Sequence, residues 1–424
     1  MLNRKVAPPI KDAIEFDLRL KQYESFTLDN GIKVYAINAG AQDVMQVELV
    51  FYAGNWFEEK RSVASATNFL LKNGTSTKNA FQLNEHFEYY GSYCNRSCYN
   101  ETAVVNLSTL SKHLPVLLPV IKEMITEAVF PEEELNTYKQ NSRQRLSVNL
   151  KKCDFVAGRL IDSYLYGTDH PYGTFPNIED IEALNTQDLK NFFSKHYIEG
   201  QCIIFVSGKL PGNIADQLNS QFGQPRLTMH HLLPISIHSA EQKKYRINND
   251  PEGVQGAIRI ARPFPNRKHP DFIKAMVLNN LFGGFFGSRL MGNIREDKGY
   301  TYSIFSYLQS HLYESAWMIS TEAGKEVCEA TIKEVYKEMK LLGEELVAEE
   351  ELLLVRNYMM GTILGDLDGP FHIMNRWKNI ILNNQDEKYF YDYIETIKTI
   401  SAEELRELAR KYLNPEDFYE LVVI

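Results

Sequence analysis

The two halves of this chain repeat each other, and that repetition restricts its possible folds more than any other feature. The run GluGluGluLeu at 132–135 recurs at 349–352, 217 residues later. The segment DLKNFFSKHY at 188–197 is echoed at nearly the same offset by ELRELARKY at 404–412. Similarity at a fixed offset is the signature of a duplicated structural unit. We therefore predict two domains of like architecture.

Each half mixes strand patterns with long amphipathic helices. Residues 24–38 read as strand, turn and strand, with Asn30-Gly31 at the turn. Apolar residues at helical spacing predict a long helix at 114–128 and its counterpart at 332–342. We predict an α+β fold of two duplicated domains, each a mostly antiparallel sheet with helices packed on one face. Two such domains would enclose a cleft or half-chamber.

Composition shifts suggest the domain boundaries. We predict an N-terminal arm at 1–22, a first domain at 23–228, a linker at 229–250 and a second domain at 251–424. Pro8-Pro9 blocks regular structure in the arm, and the linker is rich in proline and polar residues. His230-His231 in the linker has no acidic or cysteine companions nearby, so we do not predict a metal site there.

Charge and hydropathy exclude several classes of function. The net charge of −9 has interspersed signs and no Lys/Arg run, so we expect no nucleic-acid partner. No stretch of 18 apolar residues is present, so we expect no membrane span. The N-terminus is charged and lacks an apolar secretory region, which favours a cytoplasmic protein. The five cysteines are expected to be reduced thiols.

The segment 283–307, GGFFGSRLMGNIREDKGYTYSIFSY, predicts a short helix that turns into a strand. Arg295 and Tyr302 flank the corner, seven residues apart. A guanidinium and a phenol placed there can both point into one cleft and donate hydrogen bonds to a carbonyl or carboxylate. The alternative is that Arg295 pairs with Glu296 or Asp297 on a solvated helix while Tyr302 packs within its strand.

Three motifs resemble the insulinase/pitrilysin/mitochondrial-processing-peptidase family. They are SRLMGNIREDKGYTYSI at 288–304, Gly74-Thr75 and GTDHPYG at 167–173, and the resemblance extends from about residue 24 to residue 424. Active members of that family carry an inverted zinc motif, His-x-x-Glu-His, and a Glu ligand on a second helix. The three ligands leave a fourth zinc position for water, and the Glu inside the motif acts as general base.

The resemblance places the zinc-motif positions of this chain at Ser65, Asn68 and Phe69, and the third-ligand position at Arg145. Phe has no lone pair to donate, and Asn cannot accept a proton at neutral pH. An Arg cation about 4 Å from Zn²⁺ would cost ~8 kcal/mol at an effective dielectric constant of about 20. We therefore predict no metal cofactor in this chain and a zinc ion in a partner subunit.

The second half keeps features that the family uses toward its substrate. Arg295 and Tyr302 match an Arg/Tyr pair that holds the substrate backbone and helps to polarise the scissile carbonyl. Gly283, Gly284 and Gly287 resemble a glycine-bearing loop that non-catalytic subunits present to substrates. The alternative for these glycines is flexible packing at the start of a helix.

The resemblance implies a division of labour, since smaller members of the family work as two chains of about this length. We predict a zinc-less, peptide-binding subunit of a heterodimeric metallopeptidase, inactive alone, whose homologous partner bears the zinc motif. One alternative is a purely architectural subunit that never touches substrate. Another is an enzyme that uses some other metal site.

Overall fold

The computed structural model describes residues 11–224 and 235–424. The proline pair of the predicted arm and the histidine pair of the predicted linker lie outside these residues. Two sheets and their helices account for most of the described chain, one sheet in each half.

The first sheet has six strands in the order β1-β2-β6-β3-β5-β4, and only β2 and β6 run parallel. The second sheet has the order β7-β11-β8-β10-β9, and only β7 and β11 run parallel. The described strands are β1 (Glu24–Thr27), β2 (Lys33–Asn38), β3 (Val44–Phe51), β4 (Tyr93–Cys98), β5 (Ala103–Leu110), β6 (Cys202–Gly208), β7 (Lys244–Ile247), β8 (Gln255–Phe264), β9 (Thr301–Ser310), β10 (Ser315–Gly324) and β11 (Tyr419–Val423).

Helices connect the strands in both halves. Those of the first half are α1 (Val63–Leu70), α2 (Ala80–Tyr89), α3 (Leu114–Thr126), α4 (Glu132–Asn149), α5 (Cys153–Tyr166), α6 (Ile178–Glu182), α7 (Thr186–Phe193) and α8 (Ile214–Phe222). Those of the second half are α9 (Asp271–Asn279), α10 (Cys328–Glu344), α11 (Glu349–Asp366), α12 (Pro370–Leu382), α13 (Glu387–Thr399) and α14 (Ala402–Tyr412). Within the described ranges, none of these helices has the length and apolar character needed to cross a membrane.

The duplication is visible in the position and length of matching elements. Helices α4 and α11 each have 18 residues and begin with three glutamates, which suit the positive end of the helix dipole. Helices α5 and α12 begin at Cys153 and Pro370, again 217 residues apart. The two mostly antiparallel sheets and the repeated helices confirm the predicted duplicated α+β fold.

One helix of each half packs on the sheet of the other half. Helix α5 of the first half packs on β8 and β11 of the second sheet, where Ala157, Ile161 and Leu165 are buried against Ala261 and Leu421. Helix α12 of the second half packs on β2 and β6 of the first sheet. Each sheet therefore carries helices of its own half on one face and a helix from the other half on the opposite face.

Hydrogen bonds also cross between the halves near the start of β10. Buried Glu101 accepts a hydrogen bond from the hydroxyl of Tyr172 and another from the backbone N–H of Leu312, at 3.1 Å. The ring of Tyr172 stacks on His311 with 4.1 Å between centroids. Because these contacts hold the β9–β10 turn against the first half, they help to fix the position of β9.

The predicted linker contains a strand of the second sheet. Lys244–Ile247 forms β7 and pairs with β11, although the sequence analysis placed this run within 229–250. Tyr245 stacks on Tyr164 of helix α5 with 3.8 Å between ring centroids. The run looks like a linker because β7 is an edge strand whose polar side chains face solvent.

Candidate functional site

A cavity of about 770 Å³ lies between helix α1, helix α4 and strand β4. Its lining includes all four positions that the family resemblance assigns to the zinc site: Ser65, Asn68, Phe69 and Arg145. The fold thus brings Arg145 of α4 to the same cavity as three residues of α1. Tyr138 of α4, which the sequence analysis did not single out, also lines the cavity and contacts α1.

Contacts within the cavity wall hold the side chains of α1 in place. The hydroxyl oxygens of Ser65 and Tyr138 are 3.4 Å apart, and the Phe69 and Tyr138 ring centroids are 5.3 Å apart. Asn68 is only 2% exposed, and its Nδ2 donates a hydrogen bond to the hydroxyl of Tyr197 at 3.1 Å. Phe69 is 45% exposed and faces the open side.

A second arginine, absent from the sequence predictions, reaches the same cavity. Arg96 of β4 lies with its guanidinium carbon 5.4 Å from the centroid of the Phe69 ring. Burial lowers the pKa of this guanidinium. Strand alternation could have revealed the residue, because Arg96 lies between Cys94 and Cys98 on one face of β4.

These residues do not fit a zinc ion. Zinc needs three or four nitrogen, sulfur or carboxylate donors, whereas Phe69 offers no lone pair and the amide of Asn68 is engaged in the interior. Burial raises the pKa of the Cys98 thiol, so the thiol stays protonated. Two guanidinium groups line the same space. Across the described residues, no group of three His, Cys, Asp or Glu side chains is arranged to hold a metal ion.

Glu58 caps the start of helix α1 beneath the cavity. Its carboxylate accepts hydrogen bonds from the backbone N–H groups of Ser62 and Ala64, at 3.1 and 2.9 Å. Burial nevertheless raises the pKa of Glu58 to about 7, and the two N–H donors only partly offset this effect. Glu58 is therefore partly protonated near neutral pH.

We expect Glu58 to make stability depend on pH. The pKa of Glu58 is about 7 in the folded protein, against the ordinary glutamate value of 4.5 in the unfolded chain, so unfolding between these pH values releases a proton. The free energy of unfolding therefore falls as pH rises through this window, by roughly 2 kcal/mol between about pH 5 and about pH 7.5. The variant Glu58→Gln should lack this loss. Urea unfolding of both proteins at the two pH values measures the difference, and parallel pH profiles would contradict the assignment.

The second predicted site lies at a helix-to-strand corner in the other half. A π-helical segment covers Met291–Asp297, and Gly299 with a φ of +64° turns the chain into β9. A positive φ of this kind is strained for residues other than glycine, which explains why the helix stops there. The corner sets Arg295 and Tyr302 side by side.

Arg295 lies between two aromatic rings. Its guanidinium carbon is 4.5 Å from the centroid of Phe286 and 5.6 Å from that of Tyr302. Tyr302 is 88% exposed, so it does not pack within its strand. Within the described part of the chain, Arg295 forms no ion pair with Glu296 or Asp297. The structure therefore shows neither the ion pair of Arg295 nor the strand packing of Tyr302 that the alternative interpretation expects. Phe286 is a further member of the group that the sequence analysis did not assign.

Buried hydrogen bonds anchor the surroundings of Arg295. The indole N–H of Trp317 donates to the hydroxyl of Ser306 at 2.8 Å, and that hydroxyl donates to Asn279 at 2.7 Å. Arg289 binds both carboxylate oxygens of Glu351 on α11, at 2.7 and 2.8 Å. The first pair of bonds fixes β9 to β10 and α9, and the second ties the chain just before Met291–Asp297 to α11. The buried Nη1 of Arg295 has no hydrogen-bond partner among the described residues.

The three glycines of this region differ in their surroundings. Gly283 is buried, and a Cβ added there would come within 2.7 Å of the Cβ of Ser306 and 2.8 Å of Leu290. This close approach favours the packing interpretation for Gly283. Gly284 is half-buried and Gly287 is exposed, and a role for these two in peptide binding stays a prediction.

The two sites are connected by the link between α4 and α5. Asn149 at the end of α4 lines the first cavity. Asp154 in α5 lines a cleft of about 510 Å³ together with Tyr302. Five residues of extended chain span at most roughly 19 Å, so lining residues of the two sites lie within that distance of each other.

Comparison with known proteins links both halves to one family. Residues 33–168 match the family model described as Insulinase (Peptidase family M16), and residues 183–359 match the one described as Peptidase M16 inactive domain. An uncharacterized zinc protease, YmxG of Bacillus subtilis, is 24% identical over 404 residues, covering 93% of this chain and 96% of its own. The mitochondrial-processing peptidase subunit beta of Mus musculus is 21% identical, covering 94% of this chain and 83% of its own.

Solved structures share the fold. A peptidase M16 inactive domain from Pseudomonas fluorescens superposes with a TM-score of 0.83 at 21% identity, covering 95% of this chain and 98% of that one. A protease from Helicobacter pylori gives a TM-score of 0.85 at 18% identity, covering 95% and 99%.

Proposed function

The chain belongs to the insulinase (M16) family of peptidases, and we propose that it serves there as the zinc-less subunit of a two-chain metallopeptidase. The observation that carries this proposal is the contrast between its two sites. The cavity beside α1 contains Arg96 and Arg145, and the described residues offer no group of three side chains there that could hold a metal ion. The corner in the second half sets half-buried Arg295 against the ring of exposed Tyr302.

In this proposal a homologous partner supplies zinc and the general base, and this chain supplies binding groups. Arg295 and Tyr302 donate hydrogen bonds to the carbonyl oxygen of the scissile peptide as negative charge develops on it. Such donors act most strongly when they are already positioned and water is excluded. The contacts of Phe286 and Tyr302 hold the guanidinium ready, and a partner that covers the exposed corner excludes water.

Peptides bind partly as an added strand in the same proposal. Strands β4 and β9 are the outermost strands of the two sheets at the ends nearest the two sites. An outermost strand has unpaired backbone N–H and C=O groups that an extended peptide can satisfy. Unfolded peptides of varied sequence are therefore the substrate class that this geometry favours.

The test is a comparison of this chain, its partner and the mixture of both. The partner candidate is a homologous chain from the same genome that retains His-x-x-Glu-His. We expect hydrolysis of an unstructured fluorogenic peptide by the mixture only. If the partner alone is as active as the mixture, this chain is an architectural subunit and the proposal is wrong.

A further inference from the structure

We propose that the cavity between α1, α4 and β4 is a carboxylate-binding site that receives an acidic residue of a bound peptide. The inference deepens the proposed function, because it names a class of peptide, and it rests on that function for the ligand being a peptide. The cavity lies at the positions where the resemblance expects a zinc centre. A zinc centre binds a cation, whereas this cavity is lined by two arginines and would bind an anion.

The first support is an arginine without a counter-ion. The Nε atom of Arg96 is buried and has no hydrogen-bond partner among the residues that the structure describes. Its guanidinium contacts the face of Phe69. Leaving a partly buried charge without an anion is costly, so an incoming anion gains more here than at an exposed arginine.

The second support is the balance of charge around the cavity. Arg145 also lines it and forms no ion pair in the described part of the chain. The acidic residue in the lining is Glu134, whose carboxylate accepts a hydrogen bond from Asn73 at 2.7 Å. The Cys98 thiol is neutral because burial raises its pKa. Two cations against one carboxylate leave the cavity positive, although the chain carries a net charge of −9.

The third support is the location of Arg96 on an edge strand. An extended peptide that pairs with β4 places alternate side chains on the face from which Arg96 projects. Directly opposite residues of paired strands lie about 5 Å apart at Cβ, which suits an ion pair. The planar fork of a guanidinium matches a carboxylate in two parallel hydrogen bonds.

The rest of the lining suits an acidic side chain on a short stem. Ser65, Asn141 and Ser142 add hydroxyl and amide groups around the cations, and exposed Phe69 and Val148 can pack against methylene groups. The carboxylate can come from an Asp or Glu side chain or from the C-terminus of a peptide. Both sources share the same chemistry, and peptide design separates them.

The test measures binding of labelled peptides to the isolated full-length chain by fluorescence anisotropy. One peptide has a single central Glu and an amidated C-terminus, a second has Gln in its place, and a third has Gln with a free C-terminal carboxylate. We expect the Glu peptide to bind about tenfold more tightly than the amidated Gln peptide, as charge-assisted hydrogen bonds predict. If the third peptide binds as tightly as the Glu peptide, the site takes a C-terminal carboxylate as well as an acidic side chain. If only the third peptide binds tightly, the site takes chain ends and the proposed acidic residue is wrong.

Variants separate the cavity from general electrostatics. Arg145→Gln removes an exposed cation of the cavity and should reduce the preference to less than about threefold, and Arg96→Gln should abolish it. Arg143→Gln is the matched control, because this arginine lies on the same helix but pairs with Glu182 outside the cavity. It should keep the tenfold preference. Because Arg145 is exposed, its variant remains informative even if Arg96→Gln fails to fold.

Two results would overturn the inference: equal affinity of the wild-type chain for the Glu and amidated Gln peptides, or equal effects of Arg143→Gln and Arg145→Gln. Failure here is distinguishable from failure of the proposed function. If turnover by the mixture still depends on Arg295 while no Glu preference exists, only the carboxylate site is wrong. If the Glu preference exists and the mixture is no more active than the partner, the subunit role is wrong instead.

Discussion

We expect replacement of Arg295 with Ala to lower kcat/KM of the proposed two-chain enzyme by roughly 100- to 1,000-fold, the range typical of losing one donor to a developing oxyanion. The variant Tyr302→Phe, which removes only a hydroxyl, should lower it by roughly 10- to 100-fold. The losses should fall mainly on kcat, because in the proposed mechanism both groups bind the transition state more strongly than the ground state. Steady-state hydrolysis of a fluorogenic peptide by the mixture measures both.

Controls separate catalysis from assembly. Lys298→Ala removes another cation three residues further along, at an exposed position, and should leave kcat/KM within about twofold. Because Tyr302 is 88% exposed, Tyr302→Phe should not disturb the fold. Gel filtration of each mixture checks that the two chains still associate. Full turnover by Arg295→Ala in an intact complex would remove Arg295 from the mechanism.

The duplication was the part of the fold that the sequence predicted best. The acidic starts of α4 and α11 are local signals, since the favourable effect of a glutamate on the dipole of its own helix needs no partner from elsewhere in the chain. The turn at Gly31, with a φ of +91°, is likewise a local requirement for glycine. Such features can be recognised without knowing what they pack against.

The exchange of α5 and α12 between halves could not be predicted in this way. Each helix buries its apolar side chains against a sheet formed by residues far away in sequence. An amphipathic pattern shows that a helix has an apolar face, but it does not show which sheet covers that face. The strand β7 was missed for a related reason, since its neighbour in the described second sheet, β11, lies far along the chain at the C-terminal end.

The candidate sites likewise combine residues that the sequence identifies with residues that only the fold brings to the site. The motif positions Ser65, Asn68 and Phe69 follow from counting along one helix, and the fold places Arg145 at the same cavity. Arg96 belongs to a strand with no motif, and its importance comes from its position opposite α1. Phe286 was likewise visible in the sequence as one of an aromatic pair, but its contact with Arg295 exists only in three dimensions.

The second large effect concerns metal. Binding of a structural zinc ion by its protein ligands contributes roughly 10–16 kcal/mol, and none of the four expected positions, Ser65, Asn68, Phe69 and Arg145, carries a His, Cys, Asp or Glu. Arg96 and Arg145 would also repel a divalent cation in the same cavity. We therefore expect less than about one zinc ion per ten isolated chains, and about one per heterodimer. Chelation should abolish turnover by the mixture without separating this chain from peptide.

In the proposed complex, zinc resides in the partner and not in this chain. The decisive measurement is metal analysis of each chain after the two-chain complex is purified and its subunits are separated under conditions that retain bound zinc. The prediction is that zinc remains with the partner and that this chain, assayed alone, cleaves no peptide. A full equivalent of zinc on this chain, together with peptide hydrolysis by it in isolation, would contradict the account.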